Sequence, residues 1–243
     1  MASSLTSFFV SGSARAYRPF DGTDANVGGV GVLTVEAGPL QLRRSGGESS
    51  LSPGLVFNLG FAEDFEAIVD ARQWLALGSV SSGSRLRELE SAATLKWLLR
   101  EGSLQDEPGV SVAVEAALQA PEVRGEGGFG AKGTAALSYR WDFATLHVNQ
   151  SAGRSRLGNL LLSNSLIVEG PDPWMVRPVA ELTSEQELDE GASYGCLLGA
   201  IATASDTIAF DLGLRVARQD ERAAFELRLG LTWGFDAFTV RER

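Results

Sequence analysis

The chain has one histidine, His147, in the stretch Thr145-Leu146-His147-Val148-Asn149, and Ser138 and Arg140 stand in the alternating run just before it. A hydroxyl, an imidazole and an orienting polar group are the parts of a nucleophilic relay in which the ring takes up the hydroxyl proton. The same parts also make a static hydrogen-bond network. A lipid-cleaving relay would have to face lipid, whereas the alternation around His147 puts it on the polar side of its run, so a structural role is expected and no enzyme is. There is no G-x-S-x-G elbow and no P-loop, and Gly125-Glu126-Gly127-Gly128 reads as loop glycine rather than a phosphate cradle. With one His and one Cys, Cys196, the chain lacks a zinc ligand set and an intrachain disulfide. No metal and no cofactor are expected.

A second group of ionisable residues recurs on the polar side of successive alternating runs: Glu36, Asp70, Arg72, Glu90, Lys96, Arg100, Glu115, Lys132, Arg140, His147, Arg177, Glu181, Asp211, Arg215, Glu226 and Arg228. Their mixed signs fit an ion-paired lining that braces a narrow interior. The same groups, with Lys96, Lys132, Arg140, Arg177 and Arg215 drawing in anions, would also suit a solute path.

The elements that must position them are strands. The last run, Phe225 to Phe235, sets Phe225, Leu227, Leu229, Leu231, Trp233 and Phe235 on one face and Glu226, Arg228, Gly230, Thr232 and Gly234 on the other. Similar runs recur from residue 31 onward. They total about twelve strands of roughly 9–14 residues, long enough to cross a bilayer at a tilt. A bulge is expected at Pro39, and the run 159–169 is ambiguous in phase.

Connections expected to be short (62–64, 142, 170–172, 204–206) alternate with longer ones (43–49, 78–85, 121–127, 150–158, 185–190, 218–222), with the connection near 101–108 breaking the pattern, as periplasmic turns alternate with outer loops. Aromatics gather near the strand ends: Phe61, Phe65, Trp97, Trp141, Phe143, Trp174, Phe210, Trp233 and Phe235 at one end, and Trp74, Phe129, Tyr194 and Phe225 at the other. Two such belts are expected at the two headgroup levels. The fold class that follows is all-β, an antiparallel transmembrane β-barrel of the outer membrane.

Composition agrees. Apolar residues make up 44% of the 243, yet none of them gather into the ~20-residue run that a membrane helix needs. A net charge of −10 with no basic stripe disfavours nucleic acid. Residues 1–16, with Leu5, Phe8, Phe9, Val10 and Ala14-Arg15-Ala16, read as the remnant of a signal peptide or a disordered tail, leaving Tyr17 as the mature start. Residues 17–30 read as an irregular periplasmic lead-in or a plug, with a solvated leader preferred; 31–235 read as the barrel and 236–243 as a periplasmic tail. The acidic stretch Glu185 to Glu190 is expected to be a solvated loop rather than a divalent-cation site on lipopolysaccharide.

Two resemblances add to this. Arg228, Gly230, Trp233 and Phe235 are spaced like the C-terminal signal that the barrel-assembly machinery of bacterial outer membranes recognises. Several short segments also resemble the family of outer-membrane proteins of the meta pathway of phenol degradation, described as transporters. They are Arg18-Pro19-Phe20 with Asp24-Ala25, Val35-Glu36-Ala37-Gly38, Lys96 with Arg100-Glu101-Gly102, Leu118-Gln119-Ala120-Pro121, Pro178-Val179-Ala180-Glu181-Leu182 and Gly230-Leu231-Thr232-Trp233-Gly234-Phe235. The chain departs from that pattern at Glu122-Val123 and in its tail beyond Phe235. The resemblance implies an outer-membrane channel for a small aromatic or hydrophobic solute, in contact with lipid and lipopolysaccharide. The competing expectation is a non-conducting structural or surface-interaction barrel.

Overall fold

The computed structural model describes residues 18–78, 86–121, 127–219 and 222–238, with side chains in 86–90 left out. The expectations for 1–16, Tyr17, the Gly/Ser stretch 79–84, the Glu90 side chain, residues 122–126 and the tail beyond 238 lie outside the described residues.

Period-two alternation specifies strands, and thirteen form among the described residues: β1 (Val32–Ser45), β2 (Glu48–Leu51), β3 (Gly54–Ala62), β4 (Phe65–Ala76), β5 (Leu86–Arg100), β6 (Ser111–Gln119), β7 (Gly130–Trp141), β8 (Ala144–Arg154), β9 (Leu160–Glu169), β10 (Val176–Glu187), β11 (Gly191–Ser205), β12 (Ile208–Gln219) and β13 (Arg222–Asp236). All pairings are antiparallel. β13 returns to β1 in a register running from Val32↔Asp236 to Ser45↔Ala224, so the sheet closes and exposes no edge. β2 and β3 share the neighbours β1 and β4 and make one stave broken at Ser52-Pro53, which gives a closed barrel of twelve. Pro53 has no N–H to give the ladder. The break is spanned by the Ser52 N–H donating to the Gln41 carbonyl (2.8 Å) and the Gln73 N–H donating to the Pro53 carbonyl (2.9 Å). The register against β13 slips between Ala37 and Leu40, at the bulge expected around Pro39.

Burial is the reverse of that in a water-soluble protein. Lys96 is 0% exposed and Glu181 1%, while Leu198 is 62% and Leu214 61% exposed. The greasy rows face outward and the ionised rows face in, because the outside of a closed transmembrane barrel is solvated by lipid chains. Leu214→Arg, near the middle of β12, should therefore cost about 2–4 kcal/mol. The measurement is the denaturant midpoint of the barrel refolded in lipid vesicles, and Arg215→Leu, on the opposite face, should not reproduce the effect through lipid exposure.

At the end where β1 begins, rings cluster outside the wall: Phe65 stacks on Trp97 at 5.6 Å, Trp141 on Phe143 at 5.9 Å, and Trp233 lies 5.0 Å from Phe235. Phe129, Tyr194 and Phe225 are exposed toward the opposite end. Trp74 does not join them. It shares the parity of Asp70 and Arg72 and lines the mouth of the lumen.

The connections also differ from expectation. Instead of a loop over 43–49, β1 and β2 pair directly to Ser45↔Glu48 around Gly46-Gly47, whose φ values of 56° and 86° require glycine. Similarly, Glu185 and Glu187 belong to β10, and the acidic stretch contributes only Leu188 to Glu190 to its turn. Polar strand ends keep pairing beyond the apolar band because the backbone ladder, not hydrophobicity, sustains them there.

Candidate functional site: a segment seated in the lumen

Residues 18–30 have no period and form no strand, and the barrel takes them inside. The Gly31 N–H donates to the Gly60 carbonyl at 2.7 Å, and the Gly28 N–H to Glu66 Oε1 at 3.2 Å. Gly60 is bare where this segment crosses it: a Cβ there would collide with the Gly28 and Gly29 carbonyls. Further in, the Ala25 N–H donates to Ser138 Oγ (2.9 Å), and the Gly22 and Asp21 N–H groups donate to Glu181 Oε1 and Oε2 (2.8 Å each). The chain then turns back, and Arg18 pairs with Asp211 (3.5 Å). Polar bonds thus reach β4, β7, β10 and β12, on different sides of the ring. The solvated leader expected from the sequence is corrected here: the lumen supplies carboxylates and hydroxyls to amide groups that would otherwise need water.

Asp21 is the innermost carboxylate of the segment. Its Oδ2 lies 3.0 Å from Arg215 Nε and its Oδ1 lies 2.9 Å from Arg228 Nη1. Arg228 also donates to the Pro19 carbonyl (2.7 Å) and to Glu226 Oε2 (2.9 Å), and Arg215 Nη1 lies 3.3 Å from Glu226 Oε1. Burial opposes the charge on Asp21, but the Arg228 and Arg215 guanidiniums outweigh it and hold the carboxyl down at about 2. For a lowered carboxylate, the docking contribution is complete above its undocked value, near 4, and is lost as pH falls through the docked one. The Asp21 share of the docking should therefore be lost below about pH 4, and conductance should rise as pH drops from there toward 2. An unchanged trace over that window, recorded in a planar bilayer, would contradict this anchor.

Nearer the β1 end, Lys96 Nζ is wholly enclosed and lies 3.2 Å from Asp24 Oδ1, 3.7 Å from Glu115 Oε1 and 3.0 Å from Thr23 Oγ1. Close by, Ser138 Oγ is 2.7 Å from His147 Nδ1, and His147 Nε2 is 3.0 Å from Glu169 Oε1. Glu169 is an acceptor only, so the neutral ring carries its proton on Nε2 and leaves Nδ1 to accept from the serine hydroxyl. This is the hydroxyl–imidazole–carboxylate order of a hydrolase, with the two ring nitrogens exchanged. Ser138 is 1% exposed and its oxygen already takes the Ala25 N–H, so the relay ties the seated segment to the wall.

Of the sequence-derived lining residues, Glu36, Lys96, His147, Glu181, Asp211, Glu226 and Arg228 are buried inside the ring, and Asp70, Arg72, Glu115, Lys132 and Arg215 line its cavities. Arg140 and Arg177 lie at the β1 end, where Arg140 pairs with Asp106 and Asp172 and Arg177 pairs with Asp172 (2.7 Å) and Glu169 (3.4 Å). Arg100 is a correction. A bulge between Leu98 and Arg100 turns it out of the lumen, exposed beside Gly109. In the assembly-signal set, Arg228 and Gly230 face inward, and Trp233 and Phe235 face outward. Arg18, Asp21, Asp24 and Glu169 were missed as lining partners. Only the segments Arg18-Pro19-Phe20 and Asp24-Ala25, singled out by resemblance, hinted at Arg18 and Asp24.

Beyond Asp21 the lumen widens into a cavity of about 450 Å³. Arg43, Arg72, Trp74, Arg215 and Arg228 form one arc of it, and Glu185, Glu187 and Glu190 face them. Among the described residues no group of three His, Cys, Asp or Glu side chains is arranged to hold a metal ion.

Several solved barrels share this architecture. The NanC porin aligns with a TM-score of 0.60 at 7% identity, over 82% of this chain and 98% of its own. An outer membrane channel from Pseudomonas putida F1 aligns with 0.59 at 12%, over 89% and 100%. The KdgM porin, solved in complex with disordered oligogalacturonate, aligns with 0.57 at 7%, over 83% and 99%. At such identities the likeness is one of fold. No family model matches the chain, and no curated protein matches it in sequence. Closed ring, lipid-facing exterior and shared architecture together define an outer-membrane β-barrel protein.

Proposed function

We propose that this barrel is a passive channel for a small solute, closed at mid-height by its own residues 18–30 and conducting when that segment leaves its seat. The observation that carries the reading is how the segment is held. Ion pairs and hydrogen bonds tie it to several strands, and its apolar packing is local: Phe20 against Val179, Leu197, Ile201 and Ala209, a buried Pro19 beside Gly213, and Ala25 against Ala113 and Ala136. Polar contacts of this kind exchange readily with water and ions, whereas an apolar core does not.

The resemblance to the phenol meta-pathway proteins supports an aromatic or hydrophobic solute, and Trp74 at the mouth is compatible with one. We assign no reaction to Ser138 and His147, since the hydroxyl lies beneath the seated segment. Delivery by the barrel-assembly machinery through the C-terminal strand, and contact with lipopolysaccharide at the outer rim, belong to the same reading.

The alternative is a barrel sealed by its own charges that acts through its surface. Single-channel recording of the full chain in a planar bilayer separates the two. Brief, small openings are expected from the unaltered protein. A lumen that stays silent even when the segment's anchors are removed would favour the sealed barrel.

A further inference from the structure

Asp21 is the one carboxylate of the seated segment that looks out into the wide cavity. Its side chain is 31% exposed, while the two arginines that grip it are 14% and 5% exposed. Asp21 is the residue of the seated segment that lines this cavity, so a molecule there meets its carboxylate. We infer that Arg215 and Arg228 are a binding site for a small organic carboxylate, that Asp21 occupies it as a built-in substitute, and that an entering carboxylate unseats residues 18–30 by taking its place. This inference rests on the channel reading above and adds to it that the solute, whatever its apolar part, carries a carboxylate.

The chemistry of the site favours exchange over simple departure. Two guanidiniums, each bonded to Asp21 and to Glu226, make a fork suited to the planar geometry of a carboxylate. If Asp21 withdrew alone, both arginines would lose one of the carboxylates they bond and would share Glu226 with Arg43, and an enclosed cation short of its counter-charge is costly. A replacing carboxylate keeps that balance. A neutral solute of the same size offers no compensation, so it has no differential affinity for the open state and shifts nothing.

The remaining anchors set how hard the exchange is. The Asp21 and Gly22 N–H groups on Glu181 must also be released, so occupancy of the fork has to work against them, and the site responds to solute at millimolar rather than trace levels. Arg43 and Arg72 stand on the same arc as the fork, while Glu185, Glu187 and Glu190 lie across the cavity, so the attraction for a carboxylate is confined to the arginine side.

The test compares glucuronate with glucose, which share a ring and differ in the carboxylate. Single-channel recording of the full chain is made with each at about 10 mM. Glucuronate, and not glucose, should raise the open probability about tenfold or more. Asp21→Asn should be open without any addition, and glucuronate should then cause brief blockades, because the vacated fork binds it. Those blockades should vanish in Asp21→Asn/Arg215→Gln.

Wild-type openings that ignore glucuronate while Asp21→Asn opens would overturn the carboxylate site and leave the plugged channel standing. Equal blockade in the double variant would overturn it as well, reducing the effect to bulk charge. Folded Asp21→Asn and Glu181→Ala proteins that both stay silent would remove the channel reading itself. Heat-modifiable gel migration verifies folding, and the wild-type comparison decides even if a variant fails to assemble.

Discussion

Glu181→Ala should open the barrel. Its carboxylate accepts the Asp21 and Gly22 N–H groups at 2.8 Å each and the Ser165 hydroxyl at 2.7 Å, and it is 1% exposed. Hydrogen bonds to an ionised acceptor contribute about 1.5–3 kcal/mol apiece, so losing the two from the segment weakens its seat by about 3–6 kcal/mol. Every 1.4 kcal/mol is about a factor of ten, so the ratio of seated to unseated segment should fall at least about a hundredfold. The measurement is open probability in a planar bilayer, with Glu181→Gln expected in between because its amide oxygen still accepts one N–H. If Glu181→Ala conducted like the unaltered protein while remaining a folded barrel, residues 18–30 would not be the closure.

Lys96→Met should act on the wall and the segment together. The ammonium is fully enclosed and serves Asp24 of the segment and Glu115 of β6. Methionine keeps the stem but leaves both carboxylates facing each other in a low-dielectric interior. Breaking a buried pair by removing one partner costs about 3–5 kcal/mol, chiefly because the other charge is stranded. The expected result is a lower temperature for loss of the compact, unboiled gel band, accompanied by raised conductance. Lys96→Met/Asp24→Asn/Glu115→Gln should recover part of the stability, since two of the three carboxylates near the ammonium, Glu66 being the third, become neutral groups of the same shape. A triple variant as unstable as the single one would show that Lys96 acts through packing rather than charge.

The barrel was legible because its instruction is local. Inward and outward residues alternate at period two, so Glu226 and Arg228 could be set against Phe225 and Leu227 without knowing any partner strand. β9 shows where that stops. Leu160, Leu161 and Leu162 are alike, and so are Ser163, Asn164 and Ser165, so either phase satisfies the sequence. The phase is fixed only by pairing, through Leu166 opposite Val148 on one side and Leu182 on the other. Glu169 was lost as a lining residue for that reason. Arg100 and Trp74 were misplaced by related causes: a bulge is a single inserted residue with no composition of its own, and an aromatic near a strand end faces lipid or lumen by parity alone.

The sequence by itself therefore determined the strands, their greasy and ionised faces and the outer-membrane barrel they close into, because each of these follows from neighbours two residues apart. The tertiary structure decided what fills the ring. Residues 18–30 carry no period, and the partners of Asp21, Asp24 and the Gly22 amide lie on strands far along the chain, so their meeting depends on closure. Only when β13 pairs with β1 are Arg228, Arg215, Lys96 and Glu181 brought around one space, where leaving them without the segment's charges and amides would be costly.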